Sequence, residues 1–294
     1  MSRRFLILAN PIAGGGRARA LAPRLQDELR RLGASAELHF TTSKGDARAR
    51  AAAIVPASVD AIVGVGGDGT LNEILNGLAD PSLPLAVLPL GTANVLAKEL
   101  RLPADPPALA RLLHTGTTLE AALGEANGRR FLLFCGVGVD GQMVEALERR
   151  RRGKGGLRSW VGPVGEVAWR WPRTGLRVTL DASRTLHDVT ELLATRVRNY
   201  GGMFTMPGAI DIRDGELHAI TCTSRRRLGY AWHALRAALG CLQPSASLGA
   251  TTARTIRVEA ERPVPYQIDG DLGGTTPVEI RCLHTRARLF HNLG

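Results

Sequence analysis

The chain has 294 residues, 44% of them hydrophobic and 22% charged, with 34 glycines; this excludes a disordered, collagen-like or coiled-coil polypeptide and points to about two packed domains. Its 38 lysines and arginines exceed its 27 aspartates and glutamates, a net charge of +11. That balance favours polyanionic partners, whether nucleotide phosphates, nucleic acid or an anionic membrane, and does not choose among them.

In the first third an apolar run, a glycine-bearing loop and a helical pattern recur, as in a parallel sheet with crossover helices. Phe5 to Ala9 reads as a strand, followed by Asn10-Pro11-Ile12-Ala13-Gly14-Gly15-Gly16 and a helix from about Ala18 to Leu32. Ala36 to Phe40 is the next strand, and Thr41 opens the turn into an alanine-rich helix from about Ala47. Asp60 to Val65 is a buried strand that runs into Gly66-Gly67-Asp68-Gly69-Thr70, with a helix predicted from Leu71 to Leu78. Leu85 to Leu90 is a fourth strand, ending in Gly91-Thr92-Ala93-Asn94 and a short helix from Val95 to Leu100; another helix reaches about His114.

Beyond about residue 125 the pattern changes. Phe131 to Val139, Leu176 to Leu180, Leu192 to Val197, Glu216 to Cys222, Thr255 to Val258 and Val278 to Cys282 are short, β-branched and separated by turn signals, as in a sandwich or barrel. Helices are predicted within this region at about Trp160 to Trp171 and Leu228 to Leu242. The expected fold is thus an α/β N-terminal nucleotide-binding domain, Rossmann-like and three-layered, followed by an all-β sandwich with helical insertions. Residues 1–125 form the first domain and 126–283 the second, with the tail 284–294 returning to the first.

Three glycine loops at strand C-termini would gather backbone N–H groups and helix N-termini at one sheet edge, a setting for a phosphate chain. None of them carries G-x-x-x-x-G-K-[ST] or, at the first loop, G-x-G-x-x-G, so neither a Walker-type site nor a dinucleotide fingerprint is supported. In Gly66-Gly67-Asp68-Gly69-Thr70 the glycines clear space for phosphate, and Asp68 puts a carboxylate where only an intervening cation, magnesium, relieves the repulsion. Thr70 is expected to cap the next helix, with Asn72 and Glu73 near the same edge.

These blocks, Asn10-Pro11-Ile12-Ala13-Gly14, Gly66-Gly67-Asp68-Gly69-Thr70-Leu71-Asn72-Glu73 and Leu90-Gly91-Thr92-Ala93-Asn94-Val95-Leu96-Ala97, resemble the diacylglycerol kinase catalytic domain family, which includes bacterial soluble lipid kinases and is related to sphingosine and ceramide kinases. The resemblance continues in Asn199-Tyr200-Gly201-Gly202, in Pro207 to Leu217 and in Ile268-Asp269-Gly270-Asp271. It implies ATP- and magnesium-dependent phosphorylation of a lipid hydroxyl, with diacylglycerol first and a sphingoid base or other lipid alcohol next. Asn10, Pro11, Ile12, Ala13, Gly14, Thr41, Gly66 to Glu73, Gly91, Thr92 and Asn94 would surround ATP. Asp271 or Asp269 would accept the hydroxyl proton, with Asp68 serving the metal. Asp214, with the backbone of Asp211 and Glu216, would hold a structural magnesium. Two departures stand out: Asp271 replaces a usual Glu, leaving the base open between Asp269 and Asp271, and Val95 replaces a frequently acidic residue.

A lipid substrate implies reversible docking on an anionic membrane, and thus a cytoplasmic, peripherally membrane-associated protein; no apolar run approaches the roughly 18 residues of a span. Arg149 to Arg152 and Lys154, with Arg158, Trp160, Trp169, Arg170, Trp171 and Arg173, suit such an interface. At about 1 kcal/mol per basic residue, four or five contacts give millimolar-class attachment. The stripe Trp160, Val164, Val167, Ala168, Trp171 equally suits a buried helix face, and core packing is the default for Leu228, Trp232, Leu235, Leu239, Leu242.

Cys135, Cys222, Cys241 and Cys282 lack C-x-x-C spacing and are expected to be reduced thiols. No histidine pair has ligand spacing, and no serine lies in a nucleophile elbow. A soluble-metabolite kinase of the NAD kinase type is the alternative enzyme. Nucleic-acid binding is not expected, since no recognised motif occurs and aromatics make up only 4%. The oligomeric state is left open, a homodimer included.

Overall fold

The computed structural model describes residues 2–55, 57–150, 161–170 and 175–293. They divide into two compact units, Met1–Ala122 with Thr285–Gly294, and Leu123–His284.

The first unit runs β1 (Arg4–Ala9), α1 (Ala18–Arg31), β2 (Ser35–Phe40), α2 (Asp46–Ala52), β3 (Ala61–Gly66), α3 (Asp68–Gly77), β4 (Leu85–Pro89), α4 (Val95–Glu99) and α5 (Pro106–Thr115). Its strands pair in parallel in the order β2-β1-β3-β4. The near-continuous apolar strands follow from burial on both faces. Phe5, Ile7 and Ala9, with Ala61, Val63 and Val65, meet Ala18, Ala22, Leu25 and Leu29 of α1 and Leu109 and Leu113 of α5 on one face. On the other, a Cβ on Gly64 would lie 3.2 Å from Ile74 of α3. The order is 2-1-3-4 rather than the 3-2-1-4 of the dinucleotide fold, and its direction reverses between β1 and β3, where open α/β sheets form their ligand crevice. α1 carries Pro23 in its second turn, where the ring removes one i→i−4 hydrogen bond; α5 starts on Asp105, whose carboxylate accepts the Ala108 N–H (3.2 Å).

The second unit contains β5 (Thr118–Ala126), which enters it from the first, then β6 (Arg129–Phe131), β7 (Phe134–Gly138), α6 (Val139–Arg150) and α7 (Val161–Arg170). β8 (Leu176–Leu180), β9 (Arg184–Val189), β10 (Glu191–Thr195), β11 (Asn199–Tyr200), β12 (Phe204–Thr205), β13 (Leu217–Cys222) and α8 (Arg227–Ala238) follow. β14 (Leu248–Ala253), β15 (Thr255–Ala260), β16 (Pro265–Ile268), β17 (Asp271–Thr275) and β18 (Val278–Phe290) complete it, the last strand leading back to the first unit. There Leu289 pairs in parallel with Leu85.

One antiparallel sheet has the order β14-β13-β10-β7-β16-β17, and β18, β15, β8 and β9 form a second run. Alternate residues of both, among them Val137, Leu192, Ala194, Leu217 and Ile268 from one and Val178, Ile256, Val258 and Ile280 from the other, share one core. This is a β-sandwich carrying helices.

Two expectations need correction, and a third falls partly outside the described residues. The stretch from Phe131 to Val139 is not one strand: it breaks at Leu132–Leu133, and α6 begins at Val139. The apolar stripe of α8 is not core. Leu228, Trp232, Leu235 and Leu239 are 85%, 57%, 50% and 70% exposed, and only Leu242, beyond the helix, is buried. The stripe at 160–171 lies partly outside the described residues, as do Arg151, Arg152, Lys154, Arg158 and Arg173; within α7, Val167 is buried and Trp169 exposed.

Candidate active site

The turns after β1, β3 and β4 emerge at the C-terminal ends of neighbouring parallel strands and therefore along one sheet edge. In the first, the Asn10 N–H donates to the Val65 carbonyl (2.9 Å) and Asn10 Oδ1 accepts the Ile12 N–H (3.2 Å), which curls the chain outward. Gly14, Gly15 and Gly16 take φ of 62°, 69° and 92°, a left-handed run that other residues resist. Pro11 and Ala13 flank this turn half-buried, and Ile12 is exposed. Thr41 extends β2, its N–H donating to the Ala9 carbonyl (2.9 Å).

The second and third turns touch backbone to backbone. A Cβ on Gly91 would lie 2.6 Å from Gly67 Cα, and one on Gly67 3.0 Å from Gly91 Cα, so both positions demand glycine. Asn94, at φ 47°, locks its turn by accepting the Gly91 N–H at Oδ1 (2.8 Å) and donating Nδ2 to the Gly91 carbonyl (2.9 Å). Asp68 fastens the two turns together: its Oδ2 accepts the Val95 N–H (3.0 Å) and its Oδ1 the Leu96 N–H (3.2 Å). Burial pushes the Asp68 carboxyl above its ordinary range against these hydrogen bonds. Val95, where an acidic residue was expected, thus contributes its amide instead.

The remaining residues divide clearly. α3 begins at Asp68 with Gly67 before it, so Thr70 lies within the first turn and does not cap it; its side chain folds over Gly66, where a Cβ would come within 2.4 Å of Oγ1. Leu71 points into the core beside Gly64, and Asn72 is buried with Oδ1 accepting from Asn76 (3.2 Å). Glu73 is half-buried and Thr92 exposed. The amides of Asn10, Ile12, Ala13, Gly16, Thr70 and Gly91 already donate within these turns, so a phosphate would have to be met by other backbone groups of the three glycine turns. Open space lies where a Cβ would extend from Gly15, Gly16 or Gly69. Among the described residues no group of three or more His, Cys, Asp or Glu could hold a metal.

In the second unit the two candidate bases have different partners. Asp269, φ 49°, is buried, and its carboxylate accepts the N–H groups of Leu132 (3.1 Å), Leu133 (3.0 Å) and Phe134 (3.0 Å). These are the amides released where the chain breaks between β6 and β7. Asp271 is partly exposed, and its Oδ2 meets Arg129 Nη2 at 3.1 Å. The intervening Gly270 N–H donates to Gln267 Oε1 (2.8 Å), and Gln267 Nε2 donates to Asp140 Oδ2 (2.6 Å). The Tyr200 hydroxyl donates to Asp140 Oδ1, and the Asp140 N–H to Glu191 Oε2 (2.9 Å). Desolvation raises the carboxyls of Asp140 and, far more, Glu191, to which the neighbouring Asp140 charge adds. Arg129, Gln267 and Asp140 escaped the sequence reading. The only signal was Gly136, where a Cβ would collide with the Asp140 carboxylate.

At 211–216, the Asp211 carboxylate pairs with Arg213, whose hydrogen bonds hold it below the usual carboxylate range. Asp214 Oδ2 accepts from the Asp211 N–H (3.1 Å) and meets His218 Nε2 at 2.9 Å. The carbonyl oxygens of Asp214 and Glu216 accept hydrogen bonds from Arg196.

Residues 4–126 match the family described as "Diacylglycerol kinase catalytic domain", and residues 134–291 match "YegS C-terminal NAD kinase beta sandwich-like domain". The chain belongs to this two-domain family. A diacylglycerol kinase of Staphylococcus epidermidis is 25% identical over 307 residues, covering 99% of this chain and 92% of its own length. That of Staphylococcus haemolyticus is 26% identical over 289 residues, 92% of this chain and 83% of its own. The crystal structure of a diacylglycerol kinase from Bacillus anthracis superposes with a TM-score of 0.76 at 21% identity, covering 99% of this chain and 97% of that one, a likeness of fold.

Proposed function

We propose that this family member is a lipid kinase that transfers the terminal phosphoryl group of ATP to a hydroxyl of a membrane lipid, diacylglycerol first and a sphingoid base or other lipid alcohol second. The observation that carries the reading is the pair of glycine turns, Gly67 against Gly91, stapled by Asp68 at the sheet edge where Gly14 to Gly16 also emerge. Backbone approaching so closely, with no side chain in the way, suits a triphosphate.

Magnesium bound with the nucleotide supplies charge neutralisation on the phosphates. The first unit holds the phosphate chain through its backbone amides; Asp68 acts through position, fixing the turns to each other. The lipid hydroxyl oxygen bonds to the terminal phosphorus, the bond to the bridging oxygen of ADP breaks, and the hydroxyl proton passes to a carboxylate. Asp271 takes that proton, steered by Arg129, while Asp269 keeps the turn in shape with its carboxylate committed to three amides.

Access to lipid comes from α8. Its exposed Leu228, Trp232, Leu235 and Leu239 lie beside exposed Arg225, Arg226 and Arg227, an apolar face rimmed with positive charge that suits an anionic bilayer surface. The attachment proposed is peripheral; among the described residues no helix is long and apolar enough to cross a membrane.

The test offers radiolabelled ATP with diacylglycerol, sphingoid bases and NAD in separate reactions, the lipids in mixed micelles. Label is expected in a lipid with wild type and to fall by about a hundredfold or more in Asp271→Ala. Label in NAD alone, or equal transfer by both proteins, overturns the reading.

A further inference from the structure

The segment from Asp211 to Glu216 is the one the family resemblance reads as a structural magnesium site, and a buried arginine already reaches three of its carbonyls, that of Glu216 among them. Arg196 follows β10 and is 0% exposed. Its Nη2 donates to the carbonyl oxygens of Ile212 (2.8 Å) and Asp214 (2.5 Å), and its Nη1 to that of Glu216. Its backbone N–H donates to the Leu133 carbonyl (2.7 Å), which fixes where the side chain starts.

Three backbone carbonyls converging on one positive group form the kind of oxygen set that a hard dication takes. Here the positive group is a planar guanidinium whose fork of N–H donors can serve several acceptors at once and which stays charged at any physiological pH. A divalent ion at the Glu216 carbonyl, which the resemblance assigns to the metal and Arg196 already occupies, would sit beside that charge, where partial burial weakens the screening of their repulsion. Asp214 Oδ2 meets the Asp211 amide and His218, the Asp211 carbonyl accepts the Asp214 N–H, and the Asp211 carboxylate pairs with Arg213.

We propose that the Arg196 guanidinium replaces the structural cation in this chain, so that the 211–216 loop is held by a charge built into the sequence and takes no divalent ion. The inference does not rest on the proposed kinase activity and is tested without it.

The full-length protein, purified without added metal, is analysed for bound metal by mass spectrometry. It is then melted without nucleotide in EDTA and in millimolar magnesium or calcium. The expected results are substoichiometric metal and melting temperatures that agree within about 1 °C. Arg196→Met removes the donor from one buried and two half-buried carbonyls and is expected to lower the melting temperature by about 5 °C or more in either medium. If that variant does not fold, the wild-type measurements still decide. One equivalent of metal whose removal lowers the wild-type melting temperature, and which Asp214→Ala abolishes, overturns the proposal; so does an unchanged melting temperature in Arg196→Met. Metal stabilisation that persists in Asp214→Ala arises elsewhere and leaves the loop metal-free as proposed.

Discussion

α1 and α8 carry the same kind of apolar stripe and meet opposite fates. In α1 the residues Ala18, Ala22, Leu25 and Leu29 are buried against the parallel sheet. In α8 only His233 and Ala237 are buried, while Leu228, Trp232, Leu235 and Leu239 face solvent. Helical spacing shows that a face is apolar; it does not show what covers it. A sheet covers the first, and we assign a lipid surface to the second.

The contrast can be broken by the largest effect first. Leu25→Ala is expected to cost about 2–5 kcal/mol of stability by opening a cavity, whereas Leu235→Ala changes it by no more than about 0.5 kcal/mol. Urea denaturation measures both, and equal losses would mean that α8 is covered.

The same contrast recurs between two aspartates of one turn. Asp269→Ala orphans the amides of Leu132, Leu133 and Phe134 and should cost about 3 kcal/mol. Asp271→Ala removes the partly exposed ion pair with Arg129 and should cost no more than about 1 kcal/mol while lowering phosphoryl transfer about a hundredfold or more. Denaturation and label transfer on the same preparations separate the roles.

Replacing Leu228, Leu235 and Leu239 together by Ser should reduce sedimentation with anionic vesicles at least about tenfold, since each insertion contributes on the order of 1.5 kcal/mol. The melting temperature should hold, as none of the three is in the core. Vesicle binding that survives would send the docking surface elsewhere.

The smallest effect is one of pH. Burial and then the Asp140 charge hold the Glu191 carboxyl well above its ordinary value of 4.5. The folded state therefore keeps a proton that the unfolded chain releases. Stability from this group is full below the unfolded value and is lost as pH rises from about 4.3 towards the folded pKa. Glu191→Gln should remove that decline, so the difference between the wild-type and variant stability curves grows by at most about 1.4 kcal/mol per pH unit over the window. Parallel curves would show that Glu191 is ionised in the fold.

Much of this was legible in the chain because the information is local. The continuous apolar strands between glycine turns specified the parallel unit, and the alternation after residue 125 specified the sandwich. The glycines of the 66–70 loop were recognisable as clearing space for a phosphate; that Gly67 presses against Gly91 was not. What stayed hidden depended on partners far away in sequence. Asp68 was read as a metal ligand, and nothing along the chain showed that its carboxylate also accepts amides from Val95 and Leu96. Asp269 and Asp271 looked interchangeable until the break at Leu132–Leu133 gave amides to one and Arg129 a side chain to the other. α6 was missed because glycines at 136, 138 and 141 resemble strand and turn punctuation.

By itself, then, the amino-acid sequence determined the two kinds of domain, the family and the glycine turns at the sheet edge, all of which follow from periodicity and from short spacings along the chain. Only the tertiary structure decided which carboxylate is committed to backbone and which is accessible, that α8 keeps its apolar face outward, and that Arg196 occupies the carbonyl cluster at 212–216. Those outcomes depend on which groups long-range folding brings within hydrogen-bonding distance, and a buried polar atom takes whatever partner the fold supplies because leaving it unpaired costs more.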